Sequence, residues 1–219
     1  MIFSNRAEAG QALAWRLGSY ADRDDVVVLA VPRGGVPVGF EIAQVLHAPL
    51  DIFLLRKLGV PGHPEFAFGA IASGGVRVLD RQTLRSLRIS QADVVAVMAR
   101  EQQELKRREL AYRGNEPRLS VVGKTAIVVD DGVATGASML AGIHALRELH
   151  PAKIVIAVPV AAPAAYLRLA NEVDQIVCVA VPEDFRAVGQ FYDDFTQIED
   201  EEVIRLLEKN RSSLVSRAA

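Results

Sequence analysis

Short unbroken runs of apolar, largely β-branched residues recur along the chain, each followed by a small-residue or proline turn and then a helix-patterned stretch. Residues 26–31, 125–129, 153–159 and 175–181 are such runs, and 51–57 reads as a further strand. A strand with no polar side must be covered on both faces, which is the situation of a parallel sheet. Helices are expected over 36–47, 137–149 and 163–171, the last with Pro163 at its start. Asn5 and Glu8 have capping-box spacing and Leu13 and Leu17 follow at helical spacing, so 5–20 reads as an opening helix. Strands alternating with helices predict a doubly wound, mainly parallel α/β sheet with right-handed crossovers, its ligands held at the carboxyl ends of the strands.

The chain has 219 residues, half of them apolar, enough for one substantial core with a small lid. We expect a single domain over 1–210 and a frayed tail over 211–219. Lysine and arginine number 25 against 27 acids, so no overall positive charge draws the chain to nucleic acid, and any phosphate binding has to be local. The single cysteine, Cys178, lies in an apolar run with no partner for a disulfide or zinc site and reads as a buried structural thiol. No apolar stretch approaches the ~20 residues that cross a bilayer, so a soluble cytoplasmic protein is expected. Residues 91–113 carry closely spaced charges from Arg100 to Glu109 and predict a long, mostly solvated helix. Residues 58–65, with two glycines and two prolines, read as a loop. Residues 66–72 and 76–79 read as a hairpin around Ser73-Gly74-Gly75.

The most informative segment is Ala126-Ile127-Val128-Val129-Asp130-Asp131-Gly132-Val133-Ala134-Thr135-Gly136-Ala137-Ser138. Two carboxylates emerge together where a buried strand leaves the core, and a loop of small residues then leads into a helix. Backbone N–H groups, the Thr135 and Ser138 hydroxyls and the helix N-terminus converge on one place suited to a phosphate. The carboxylates at the other end suit vicinal hydroxyls, which donate hydrogen bonds to them. A sugar phosphate satisfies both ends. Two other phosphate motifs fail: Gly123-Lys124-Thr125 lacks the upstream P-loop glycine and precedes a strand, and residues 32–39 do not space their glycines as a dinucleotide-binding turn does.

These thirteen residues resemble the signature with which type I phosphoribosyltransferases bind 5-phosphoribosyl-1-pyrophosphate (PRPP). The resemblance implies that Asp130 and Asp131 hold the ribose hydroxyls and that Ala134, Thr135, Gly136, Ala137 and Ser138 take the 5′-phosphate, with Gly132 and Val133 also among the substrate-binding residues and Ala137 where a second glycine is usual. Pro32-Arg33-Gly34-Gly35 resembles the family's pyrophosphate loop, which often contains a non-proline cis peptide, here Pro32–Arg33 by position. Arg56-Lys57 and the glycine- and proline-rich segment after it are similar to the lid region of adenine and orotate enzymes, so a lid is expected over about 58–72. Residues 182–196 resemble the hood of hypoxanthine–guanine enzymes, which would set Phe185 on the base and Asp193 near magnesium.

The implied reaction is displacement of pyrophosphate from C1 of PRPP by a ring nitrogen. Magnesium, Arg33, Arg56 and Lys57 would neutralise the leaving group. Ala134 stands where 6-oxopurine enzymes carry an aspartate, which disfavours hypoxanthine and guanine, and Glu65 is the candidate general acid or base. The expected partners are PRPP, a small nitrogenous base or its nucleotide, and pyrophosphate, with no nucleic acid or membrane. A homodimer is expected by analogy. The rival reading is a non-catalytic sensor of PRPP or a nucleotide. A sugar-phosphate hydrolase ranks last, because no nucleophile-and-base pair is evident.

Overall fold

The computed structural model describes residues 2–218, apart from the side chains of Pro64, Glu65 and Ala218. Along the chain the elements are α1 (Arg6–Arg16), β1 (Val26–Ala30), α2 (Gly35–Leu46), β2 (Leu50–Ile52), β3 (Leu55–Val60), β4 (His63–Ala72), β5 (Arg77–Leu79), α3 (Arg81–Ser86), α4 (Gln91–Arg113), β6 (Thr125–Val129), α5 (Ala137–Arg147), β7 (Lys153–Val160), α6 (Pro163–Ala170), β8 (Gln175–Ala180) and α7 (Asp200–Ala218).

Five strands form a parallel sheet in the order β2-β1-β6-β7-β8. The apolar runs are continuous because the sheet is buried on both sides: every residue of β1 and β6 is buried. The two-residue period of a strand sends Val26, Val28 and Ala30 toward Leu13 of α1, Ile42 of α2 and Leu207 of α7. Val27 and Leu29 face Ile143 of α5 and Leu169 of α6. Each such valine, leucine or isoleucine stabilises the fold by roughly 1.5–3 kcal/mol on burial. The chain proceeds from β1 to β2 on one side and to β6 on the other, so the strand order reverses between β1 and β6. A crevice opens there at the carboxyl ends of the two strands.

The second strand expected over 51–57 is divided: Leu50–Ile52 joins the parallel sheet, and Leu55–Val60 belongs to a separate antiparallel sheet, β3-β4-β5. Residues 58–65, read as a loop, form the tip of a hairpin, with Val60 paired to His63 across Pro61-Gly62. Proline followed by a glycine at φ 80° meets the requirement of a type II turn, and buried Leu58 and Phe68 hold the hairpin to the core. The hairpin of β4 and β5 stands where the sequence places it, with Ile71 paired to Arg77.

The charged helix spans 91–113 as expected, but it is not a free arm. Val97, Glu101, Leu105, Tyr112 and Arg113 are buried on it. Its end is bound to the sheet by Arg113, whose Nε donates to Asp51 Oδ1 at 2.6 Å with both side chains almost wholly buried. The opening helix is α-helical to Arg16, and a 3-10 turn over Gly18–Tyr20 continues it to residue 20. The tail expected to fray is helical to Ala218 as part of α7, which packs Val203, Leu206 and Leu207 into the core. Among the described residues no helix is long and apolar enough to cross a membrane.

Candidate functional site

Two loops meet at the switch point. The turn after β1 contains a cis peptide at Pro32–Arg33, the bond expected there. Gly34 and Gly35 then allow this turn to lie directly on the acidic pair. A methyl group on Gly34 would overlap the Asp131 carboxylate, and one on Gly35 would stand 2.7 Å from the Val129 carbonyl oxygen and 2.9 Å from Asp130 Cα. Gly132 is needed for the same reason on the other side, where an added Cβ would come 2.5 Å from Val188.

The acidic pair sits at an electrostatic extreme. Burial, and then the adjacent Asp131 carboxylate, push Asp130 well above the usual carboxylate range. Asp131 is also raised by burial, against the opposing pull of Arg6. Arg6 Nε donates to Asp131 Oδ2 at 2.8 Å, and Arg6 Nη1 donates to the Thr196 carbonyl at 2.9 Å. The guanidinium lies 4.0 Å from the ring centroid of Phe195. From the other side the Tyr192 hydroxyl donates to the Asp131 carbonyl at 2.6 Å.

After the pair, the loop is held at its middle by Val133, whose N–H donates to the Val160 carbonyl at 2.9 Å and which bridges to Ala161. Gly136 then adopts φ 72° to turn the chain into α5. Ala134, Thr135, Ala137 and Ser138 are exposed around the α5 N-terminus. An anion there is favoured by free N–H groups and the positive end of the helix.

A cavity of about 320 Å³ opens beside these loops. It is lined by Pro32, Arg56, Lys57, Asp130 and Ser138, five of the residues expected at the site, together with Phe53, Leu54, Leu55, Met139 and, from α4, Leu105 and Arg108. Its apolar walls suit a flat ring and its cations an anionic group. The need of Arg56 for a counter-charge is met within the chain: its Nη2 and Nε donate to Glu101 Oε2 at 2.6 and 2.9 Å. Burial acts to raise Glu101, but the hydrogen bonds from Arg56 and Arg100 hold it below the usual range. Lys57 is exposed at the cavity.

The model of the phosphoribosyl transferase domain matches residues 2–196. The chain belongs to the phosphoribosyl transferase domain family. Two curated proteins of Mycobacterium tuberculosis, from strains H37Rv and CDC 1551 and each named "putative phosphoribosyl transferase", are 44% identical to it over 208 residues. That alignment covers 95% of this chain and 47% of each relative, so the chain spans about half the length of these relatives. The crystal structure of TT1426 from Thermus thermophilus superposes with a TM-score of 0.85 at 42% identity, covering 95% of this chain and 99% of that one. AQ2163 of Aquifex aeolicus, at 13% identity and TM-score 0.50 over 84% of this chain and 78% of its own, shares the fold.

Three residues expected at the site, Phe185, Asp193 and Arg33, do not line the cavity. Phe185 is half-buried, and its ring stacks on Phe191 with the centroids 5.5 Å apart, beside a cluster that includes Phe3 and Tyr192. Asp193 is exposed, and its N–H donates to the Phe3 carbonyl at 2.8 Å, tying this segment to the chain start. The Glu65 side chain lies outside the described residues. Arg33 is not on the main cavity; it stands 3.6 Å from both Glu199 and Asp200 of the segment opening α7. Arg6, Glu101, Arg108 and Tyr192 were not foreseen. For Arg6 a signal existed, because a cation at the first position of a helix opposes the helix dipole and calls for an acidic partner.

Proposed function

We propose that this domain binds PRPP and transfers its 5-phosphoribosyl group to a nitrogenous base, releasing pyrophosphate. The observation that carries the reading is the meeting, in one crevice, of the Asp130–Asp131 pair, the α5 N-terminus and the Arg56-Lys57 cavity. The carboxylates accept hydrogen bonds from the two ribose hydroxyls and fix the sugar, while the N–H groups around Thr135 to Ser138 hold its 5′-phosphate. A base nitrogen forms a bond to C1 as the C1–oxygen bond to pyrophosphate breaks. Arg56, Lys57 and the Pro32–Gly35 turn receive the departing charge.

Among the described residues no group of three or more His, Cys, Asp or Glu side chains could hold a metal. The residues therefore fit magnesium only as an ion with few protein ligands, of which the exposed Asp193 of the hood would be one. Bound there, it would supply neutralising charge for the pyrophosphate. Glu65 remains the proposed general acid or base, and a homodimer is part of the same reading.

Calorimetric titration of PRPP with and without magnesium, followed by a panel of free bases assayed for pyrophosphate release, tests the proposal. Release with one base identifies the acceptor, and failure of PRPP to bind refutes the reading. Two observations favour a second outcome, a PRPP sensor: Glu101 already neutralises Arg56, and Ala134 supplies no base. Binding without turnover across the panel would select it.

A further inference from the structure

Beside the main cavity lies a second one of about 240 Å³, lined by Pro32, Arg33, Arg107, Arg108, Tyr112 and Asp200 with Ala111. The two share Pro32 and Arg108. Three guanidinium groups converge on this space from two elements far apart in sequence. We infer that Arg107 and Arg108 of α4, facing Arg33 across this cavity, bind the diphosphate arm of PRPP. This rests on the PRPP reading above and adds to it a helix that the motif resemblance does not cover.

The helical geometry supports the assignment. Glu101, Leu105, Arg108 and Tyr112 stand at i, i+4, i+7 and i+11 and share the face that α4 turns toward the body of the domain. Arg108 thus belongs to the packed stripe, not to the solvated back of the helix. That stripe is fixed on either side of it, by Glu101 on Arg56 and by Arg113 on Asp51. The two arginines are also held toward each other. Glu104 accepts from Arg107 Nε at 2.7 Å and Nη2 at 3.0 Å and from Arg108 Nε at 2.8 Å, and these hydrogen bonds lower its pKa to about 2. Their side chains remain partly exposed, so donors not used by Glu104 are free for phosphate oxygens. The acid that lines the cavity, Asp200, accepts from the Tyr112 hydroxyl at 2.7 Å and stands 3.6 Å from Arg33, too far for a good hydrogen bond. Arg33 can therefore exchange that loose contact for a phosphate oxygen.

PRPP and ribose 5-phosphate differ only in the diphosphate, so the pair isolates this contact. Affinities of both ligands for the full chain are measured by calorimetry in the wild type, Arg107→Gln, Arg108→Gln and the double variant. The expected result is a loss of roughly tenfold or more in PRPP affinity for each single variant, as charge-assisted hydrogen bonds imply. Ribose 5-phosphate affinity should stay unchanged, which also shows that the variants are folded. If the preference of the wild type for PRPP persists in the double variant, the inference is wrong. Equal losses for both ligands also refute it, because the arginines would then only hold α4 in place. If the wild type binds neither ligand, the PRPP reading itself has failed.

Discussion

Replacing Arg6 with methionine keeps most of the side-chain volume and removes the cation that faces Asp131. Both groups are largely buried, with 9% and 14% of their side chains exposed, so the change leaves a carboxylate beside Asp130 with no counter-charge. Breaking a buried pair from one side costs about 3–5 kcal/mol. Loss of the contact with Phe195 adds up to about 1 kcal/mol, and protonation of Asp131 recovers part of the total. A net loss of roughly 3 kcal/mol corresponds to about 6–12 °C in the melting temperature of a chain this size.

The loss should depend on pH with a definite sign. Burial raises Asp130 and Asp131 above their unfolded values, so in the pH range between the two values the folded state binds more protons, and stability falls as pH rises. Without Arg6, Asp131 is raised further. At acid pH, below the unfolded carboxylate range, Asp131 is neutral in both proteins and the wild type retains an unpaired Arg6. The gap between wild type and variant is therefore smallest there and widens toward neutrality and above. Thermal unfolding followed by circular dichroism at a series of pH values measures it. A gap that stays constant with pH, or a variant as stable as the wild type at neutral pH, would refute the claim that the pair is an electrostatic unit.

Gly34→Ala forces a methyl group into the Asp131 carboxylate, so PRPP binding should be lost at a stability cost of about 1–3 kcal/mol; calorimetry and a melt separate the two effects. Glu101→Gln removes the charge that orients Arg56 and should raise the KM for PRPP severalfold while changing kcat less, read from initial rates of pyrophosphate release. Ile127→Ala, in the fully buried β6, should cost about 2–5 kcal/mol in a urea titration without altering PRPP affinity per folded molecule. Glu65→Gln should lower turnover with little effect on PRPP binding, and unchanged turnover would remove Glu65 from the reaction.

The parallel sheet and the acidic loop could be read from sequence because both are local patterns with one physical solution. A five-residue apolar run such as Val26–Ala30 has nowhere to face but a two-sided core. Two aspartates leaving such a run into small residues and a helix place a carboxylate pair opposite an anion site whatever the rest of the chain does. The antiparallel sheet was harder, since Gly59, Pro61, Gly62 and Pro64 punctuate the segment as a loop would. The decisive detail, a Pro-Gly pair flanked by residues able to pair as Val60 does with His63, is weaker than the surrounding breaker signal.

Contacts between distant segments left less trace. Arg6 and Asp131 are 125 positions apart, and periodicity shows which face of a helix is buried without showing what that face meets. The charged helix presents the same difficulty in its sharpest form. A stripe of Glu101, Leu105, Arg108 and Tyr112 is half polar, so it gives no clear apolar period, and a helix rich in charge is ordinarily solvated. Charge on a helix indicates solvent only when no opposite charge is fixed nearby. Arg56, on a strand end against the core, is such a charge, and its pairing with Glu101 brings the stripe down onto the site. The same Arg56-Lys57 pair that suggested an external anion was thus also evidence that an acidic residue elsewhere in the chain had to reach it, and the helix that supplied that acid carried Arg108 to the cavity with it.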